Sequence, residues 1–146
     1  MADHDSTEIV LAVVQRGGLI CLARRSLEVA TARGLWSVVT GYLEPGATPL
    51  EQACQELREE LGLSSMHVQL VRSLPPVHLM SSASGKRFLV HPFLFESGEG
   101  FEVVLNWEHT EHQWVEPARL SGDDCVSWQQ QIVLALLNEL QDRPSG

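Results

Sequence analysis

Residues 9–15, Ile-Val-Leu-Ala-Val-Val-Gln, form a nearly unbroken apolar run rich in β-branched side chains. Successive side chains of a strand point to opposite faces, so a run without polar alternation has to be covered on both sides. Such a strand belongs in the interior of a sheet with a layer packed on each face. Arg16-Gly17-Gly18 is a turn signal, and the chain returns as a second strand over residues 19–23. Residues 35–39 read as a third strand, followed by a loop broken by Gly and Pro over 41–47.

The next segment carries helix signals at both ends. Thr48-Pro49-Leu50-Glu51 is a capping-box pattern with Pro at the first helical position, and Gly62 is a stop. Between them Leu50, Ala53, Cys54, Leu57 and Leu61 recur at helical spacing and predict a stripe that lies on the sheet. Residues 68–74, 87–96, 101–105 and 112–115 are further strand candidates, with a small-residue loop at 81–85. Trp128, Ile132, Val133, Leu136, Leu137 and Leu140 predict a second amphipathic helix over 126–140. Strands, helix, strands, helix in that order indicate an α+β or α/β sandwich with a mixed β-sheet. At 146 residues, 44% of them hydrophobic, the chain is expected to form one domain over 1–146.

Charge narrows the partners. Asp and Glu number 19 against 10 Lys and Arg, a net charge of −9. A nucleic-acid polymer is therefore not expected as a ligand, because that contact needs a broad basic face. Lys86 is the sole lysine, which leaves one candidate for Schiff-base chemistry. No apolar run reaches the roughly 18 residues of a membrane span. The acidic, polar start lacks the positive flank of a secretory leader. Cys21, Cys54 and Cys125 are too scattered for a disulfide framework or a zinc site, so a cytoplasmic protein with reduced thiols is expected.

The polar side of the first helix is unusual. Glu56, Glu59 and Glu60 stand at i, i+3 and i+4, within one arc. Crowded carboxylates repel one another, and a hard divalent cation reverses that cost. The competing explanation is a solvated acidic face. The surrounding residues favour the metal. From Gly41 to Leu63, the positions of Gly41, Glu56, Leu57, Glu59, Glu60, Gly62 and Leu63 resemble the signature box of the Nudix hydrolase family, with Glu44 and Gly46 matching residues frequent in its loop. The resemblance implies a Nudix α/β/α sandwich with a mixed sheet. It also implies hydrolysis of a diphosphate linkage in a nucleoside diphosphate derivative. Mg²⁺ or Mn²⁺ is the implied cofactor, and a homodimer the implied assembly.

Two positions depart from the box. Ala47 stands where it has Glu, and Gln55 where it has Arg. Losing both members of a charge pair avoids stranding one charge, and Gln55 can still offer an amide N–H to a neighbouring carboxylate. The departures motivate a competing function, a Nudix-fold nucleotide-binding or regulatory domain with weak or no hydrolase activity, and a merely solvated acidic face motivates another, an acidic structural module.

The resemblance assigns the remaining site residues. Glu56, Glu59, Glu60 and the Thr40 carbonyl are the metal ligands. Glu56, Glu59 or Glu108 acts as base, with Glu111 in reserve to Glu108. Arg24 or Arg25 faces the diphosphate, and strand alternation allows only one of them to do so. Lys86 and Arg87 are weaker phosphate candidates. Trp36 and Phe88 are candidates to stack on a base, against core packing for each. Glu44 and Glu51 are expected to shape the loop and cap the helix, and His109 and His112 to be polar edge residues. Residues 36–41 resemble the dihydroneopterin-triphosphate and deoxynucleoside-triphosphate pyrophosphatase branch. Residues 88–95 and 107–114 resemble Nudix domains of proteins related to translation initiation factor two-B. Neither likeness selects a substrate.

Overall fold

The computed structural model describes residues 6–81 and 84–141, with the side chains of 139–141 left aside. The side chain of Leu140 in the expected stripe, and Ser82 and Ala83 of the expected loop, therefore lie outside what is described. Ser6–Arg16 forms β1, and the Gly17-Gly18 turn folds it onto β2, Leu19–Arg25. The expected third strand is two short ones. Trp36–Ser37, β3, pairs with β2, whereas Val39–Tyr42, β4, pairs antiparallel with β1. Val38 is where the chain crosses between partners. Its backbone N–H leaves the ladder and donates to Gln129 Oε1 at 3.0 Å.

Helix α1 spans Pro49–Leu61 and leads to β5, Val68–Ser73, and β6, Val77–Met80. Both run along the same edge of β7, Arg87–Ser97. Pro75 and Pro76 separate them because neither can donate to a ladder. The alternation over Val77–Met80 is too short to stand out in sequence. β7 runs parallel to β1 along ten residue pairs, Ser6↔Arg87 to Gln15↔Glu96. Then β8, His109–Val115, pairs with β2, a short 3-10 turn covers Pro117–Ser121, and α2 spans Gln129–Gln141.

Residues 101–105, expected as a strand, form no ladder. The segment instead closes α1: the Val104 N–H donates to the Leu61 carbonyl at 2.8 Å, and Val104 packs on Gly62. Its apolar side chains mimic a strand because Val103 and Leu105 pack into a core from a loop.

β1 has cores on both faces, as its composition requires. Ile9, Leu11 and Val13 join Ile132, Val133 and Leu136 of α2. Val10, Ala12 and Val14 join Ala53, Leu57 and Leu61 of α1. The architecture is thus an α/β/α sandwich around a mixed sheet. The parallel β1–β7 pair forms its spine, β4 pairs with β1 over Ile9–Ala12, and α1 packs against both β1 and β4.

Candidate active site

α1 forms where its caps place it. Thr48 Oγ1 accepts from the Glu51 N–H at 3.1 Å, and Glu51 Oε1 accepts from the Thr48 N–H at 2.9 Å. Gly62 ends the helix at φ 69°, a left-handed conformation that glycine adopts without steric cost. Ala53, Leu57 and Leu61 are buried on the sheet, Cys54 is half-buried, and Leu50 is partly exposed. That orientation divides the three glutamates. Glu60 is buried, 1% exposed; Glu56 is half-buried at the sheet; Glu59 stays in solvent.

Glutamine amides brace this face. Gln52 is buried and donates from Nε2 to Glu56 Oε2 at 2.8 Å and Glu44 Oε2 at 3.3 Å. Its Oε1 accepts from the Glu44 N–H at 3.0 Å. Gln55 Nε2 donates to both Glu59 Oε1 and Glu44 Oε2 at 3.0 Å. The departure from Arg thus leaves a neutral double donor between two carboxylates. Glu44 and Glu51 have the loop and capping contacts expected of them.

Gly41 lets Glu56 reach the sheet. A Cβ on Gly41 would fall within the Glu56 carboxyl group, and nothing in the glycine's φ calls for a missing side chain. The close approach alone requires glycine. Thr40, Gly41 and Glu56 line one end of a cleft of about 590 Å³, together with Arg25 and Glu108. Glu108 is fixed by its backbone, whose carbonyl accepts from the Ser26 N–H at 2.7 Å and whose N–H donates to Asn106 Oδ1 at 3.0 Å. Leu79, Phe88 and Trp128, which pack against the α2 core, and the exposed Met80 supply the apolar lining.

The cleft gathers Thr40, Glu56, Arg25, Glu108 and Phe88 from the expected set. Other residues lie elsewhere. Trp36 is 6% exposed and belongs to the core under α2, because its backbone is held between Asp124 and Val126. It has no face left for a base. Arg24 points to the opposite side, bound to Glu111 at 3.2 Å and to the Gly34 carbonyl at 3.1 Å. Glu111 is thereby occupied as well. A register shift between Arg24 and Arg25 accompanies this division, and Arg25 lies opposite His109. Lys86 stands over the Phe88 ring at 5.5 Å, and neither it nor Arg87 lines the cleft.

Three residues contribute in ways the sequence does not indicate. Trp128, read as part of a helical stripe, lies just before α2 begins and faces the cleft. Asn106 has no motif. His109 is not an edge residue: it is 5% exposed, with Nδ1 3.8 Å from Glu60 Oε1. A buried position at the start of a strand is invisible without knowing what covers it.

Electrostatics concentrate on Glu60. Burial, then a hydrogen bond to Glu56 that favours the protonated form, then the Glu56 and Glu108 charges, push its pKa up to about 10, opposed by Arg25. Burial also raises Glu56, against the hydrogen bonds of Glu60 and Gln52. Burial, with Arg25 beside it, holds His109 neutral, at about 4. Among the described residues no three His, Cys, Asp or Glu side chains already close into a cation cage. The donor chemistry nevertheless fits a hard divalent ion. Glu60 Oε2 is buried without a hydrogen-bond partner, and the Glu56 charge beside it opposes its ionisation. A cation relieves both costs.

Relatives place the chain in a family. The NUDIX domain matches residues 5–136. A CTP pyrophosphohydrolase of Escherichia coli (strain K12) is 38% identical over 66 residues, 45% of this chain and 48% of that protein. An RNA pyrophosphohydrolase of Rhizobium meliloti (strain 1021) is 31% identical over 108 residues, 64% of each. The chain thus spans about half of the first relative and just under two thirds of the second. The crystal structure of a MutT protein from Methanosarcina mazei Go1 superposes with a TM-score of 0.74 at 22% identity, over 94% of this chain and 96% of that one. With the family match running from β1 into α2, the chain belongs to the NUDIX domain family.

Proposed function

We propose that the chain is a pyrophosphohydrolase, dependent on Mg²⁺ or Mn²⁺, that cleaves a phosphoanhydride bond in a nucleoside diphosphate derivative. The observation that carries this reading is the meeting of Glu56, Glu108 and Arg25 at one cleft wall, with Glu60 buried behind them. Glu56, Glu59 and Glu60 would hold the cation, with the Thr40 carbonyl beside them. When bound, the cation neutralises phosphate oxygens and makes water more acidic.

The chain's own groups supply the rest. Arg25 offers a planar guanidinium suited to phosphate oxygens. It now donates to the Thr31 carbonyl at 2.9 Å, a bond it can exchange for a phosphate. Glu108 is the first choice as base, with Glu56 and Glu59 the others. It lines the cleft, and its carboxylate accepts one long bond, 3.4 Å, from Asn106. Lone pairs therefore remain to take a proton from water. Phe88 and Trp128 offer aromatic faces to a base. Gln55 favours hydrolysis over a purely regulatory domain, because it still restrains Glu59 where the box has Arg.

The names of the two relatives make nucleoside triphosphates the first compounds to test. Phosphate and pyrophosphate release should be followed for ribo- and deoxynucleoside triphosphates and a 5′-triphosphorylated oligoribonucleotide, with Mg²⁺, with Mn²⁺ and with EDTA. Metal-dependent release supports the reading. Tight nucleotide binding without release replaces it with the regulatory one. We also propose that the chain acts as a single domain, in the cytoplasm, where its three free cysteines stay reduced. Among the described residues no helix is long and apolar enough to cross a membrane. A homodimer is the proposed assembly, and light scattering after size exclusion checks it.

A further inference from the structure

Behind the cleft carboxylates lies a side chain that hydrolysis, as derived above, does not use. The His109 ring is 1% exposed and the Glu60 side chain 2%, with His109 Nδ1 and Glu60 Oε1 3.8 Å apart. His109 Nδ1 and Glu60 Oε2 are both buried without a hydrogen-bond partner. Native proteins rarely leave buried polar atoms unpaired, so two of them on facing side chains mark unfinished bonding. A separation of 3.8 Å is too long for a hydrogen bond, and closure by roughly 1 Å makes one.

We propose that His109 is a positioning residue for Glu60: its Nδ1–H donates to Glu60 Oε1 and leaves Oε2 as the oxygen offered to a divalent cation. This rests on the reading that the glutamate cluster binds such a cation. Three features favour it. The position is set by a ladder rather than a loop, since His109 pairs with Arg25 across β2 and β8. The ring is 1% exposed, so its unpartnered Nδ1 has to be satisfied from within the protein, and Glu60 is the side chain it faces. And a ligating carboxylate needs its other oxygen hydrogen-bonded to hold its direction.

Mn²⁺ affinity, read from the free-ion paramagnetic resonance signal, tests this without turnover. His109→Phe keeps ring volume and removes the donor, while His109→Asn places an amide N–H near the position of Nδ1. His109→Phe should weaken Mn²⁺ binding about 10–100-fold, and His109→Asn should recover most of it. A folded His109→Phe protein that binds Mn²⁺ within about twofold of the wild type overturns the proposal. So does His109→Asn that is no better than His109→Phe. If the Phe variant does not fold, ¹⁵N NMR of the wild-type ring decides. The Nδ1–H tautomer in the Mg²⁺-loaded protein supports the assignment, and the Nε2–H tautomer refutes it. Glu60→Gln separates the two levels: wild-type affinity in that variant removes the metal reading and this inference with it. Loss of affinity there, with His109→Phe unaffected, removes only the inference.

Discussion

The two ends of the cleft are built on different principles. At the charged end carboxylates are braced by amides: Glu56 by Gln52, Glu59 by Gln55 and Glu108 by Asn106. At the other end Leu79, Met80, Phe88 and Trp128 offer area. The polar groups at the border, Ser37 and Gln129, bond to each other and to Val38. Phosphate chemistry needs oxygens held within a fraction of an ångström, whereas a stacked base needs a flat surface. The contrast teaches that damage at one end should appear in turnover and at the other in binding.

The largest effect is expected from Glu56→Gln. It keeps the shape beside Gly41 and removes a charge. Turnover should fall by about 10²–10³-fold, the scale of losing one group that stabilises developing charge. A kcat within a few-fold of wild type would show that the charged end is not where the chemistry lies. Gln55→Ala comes next, with an expected loss of roughly 10–100-fold in kcat or metal affinity. Gln55→Arg, which returns the residue of the box, should retain activity. Equal rates for all three forms would mean that the brace on Glu59 is idle.

Only the charged end should respond to pH, through two buried neighbours that act in opposite senses. Glu60 has a folded pKa near 10, above its ordinary 4.5, so its stabilising contribution is full below 4.5 and is lost as pH rises toward 10. His109, lowered from 6.5 to about 4, acts in the opposite sense. Its contribution is present above 6.5 and is lost as pH falls toward 4. Above 6.5 Glu60 sets the slope, and Glu56, Cys21 and Cys125, which burial also raises, act in the same sense. Without metal, Tm should decline from pH 6.5 to 8.5, and Mg²⁺ or Glu60→Gln should flatten the decline. A metal-free Tm that rises over this range contradicts the burial of a repelled carboxylate.

Trp128→Ala should raise KM about fivefold, the worth of roughly 1 kcal/mol of aromatic contact, with kcat nearly constant. A fall in kcat alone would break the division between the ends. The smallest effect belongs to Arg24→Ala. Its pairing with Glu111 is half exposed and is worth about 0.2–1 kcal/mol, so denaturant melts should shift little and activity should hold.

Much of this arrangement is legible in the chain itself, and the exceptions have physical reasons. The run at 9–15 requires two covered faces and has them. Thr48, Glu51 and Gly62 locate α1 because capping is local chemistry. Trp36 and Trp128 could not be assigned in advance, since a core aromatic and a cleft aromatic share one composition. Arg24 and Arg25 were separable only in principle, because alternation says that they differ and not which is which. His109 reads as a polar edge residue because its partner Glu60 is 49 positions earlier, and no local pattern records burial. Residues 101–105 look like a strand because apolar loops and strands fill cores with the same side chains.

Gln129 carries one consequence beyond its own bonds. It holds Val38 and Ser37 from the first turn of α2, next to Trp128, while the chain from Val38 runs within three residues to Gly41 and its contact with Glu56. The aromatic wall at Trp128 and the backbone beneath Glu56 are therefore joined through a single side-chain amide. A ligand that tilts the indole should be felt at the carboxylates without touching them.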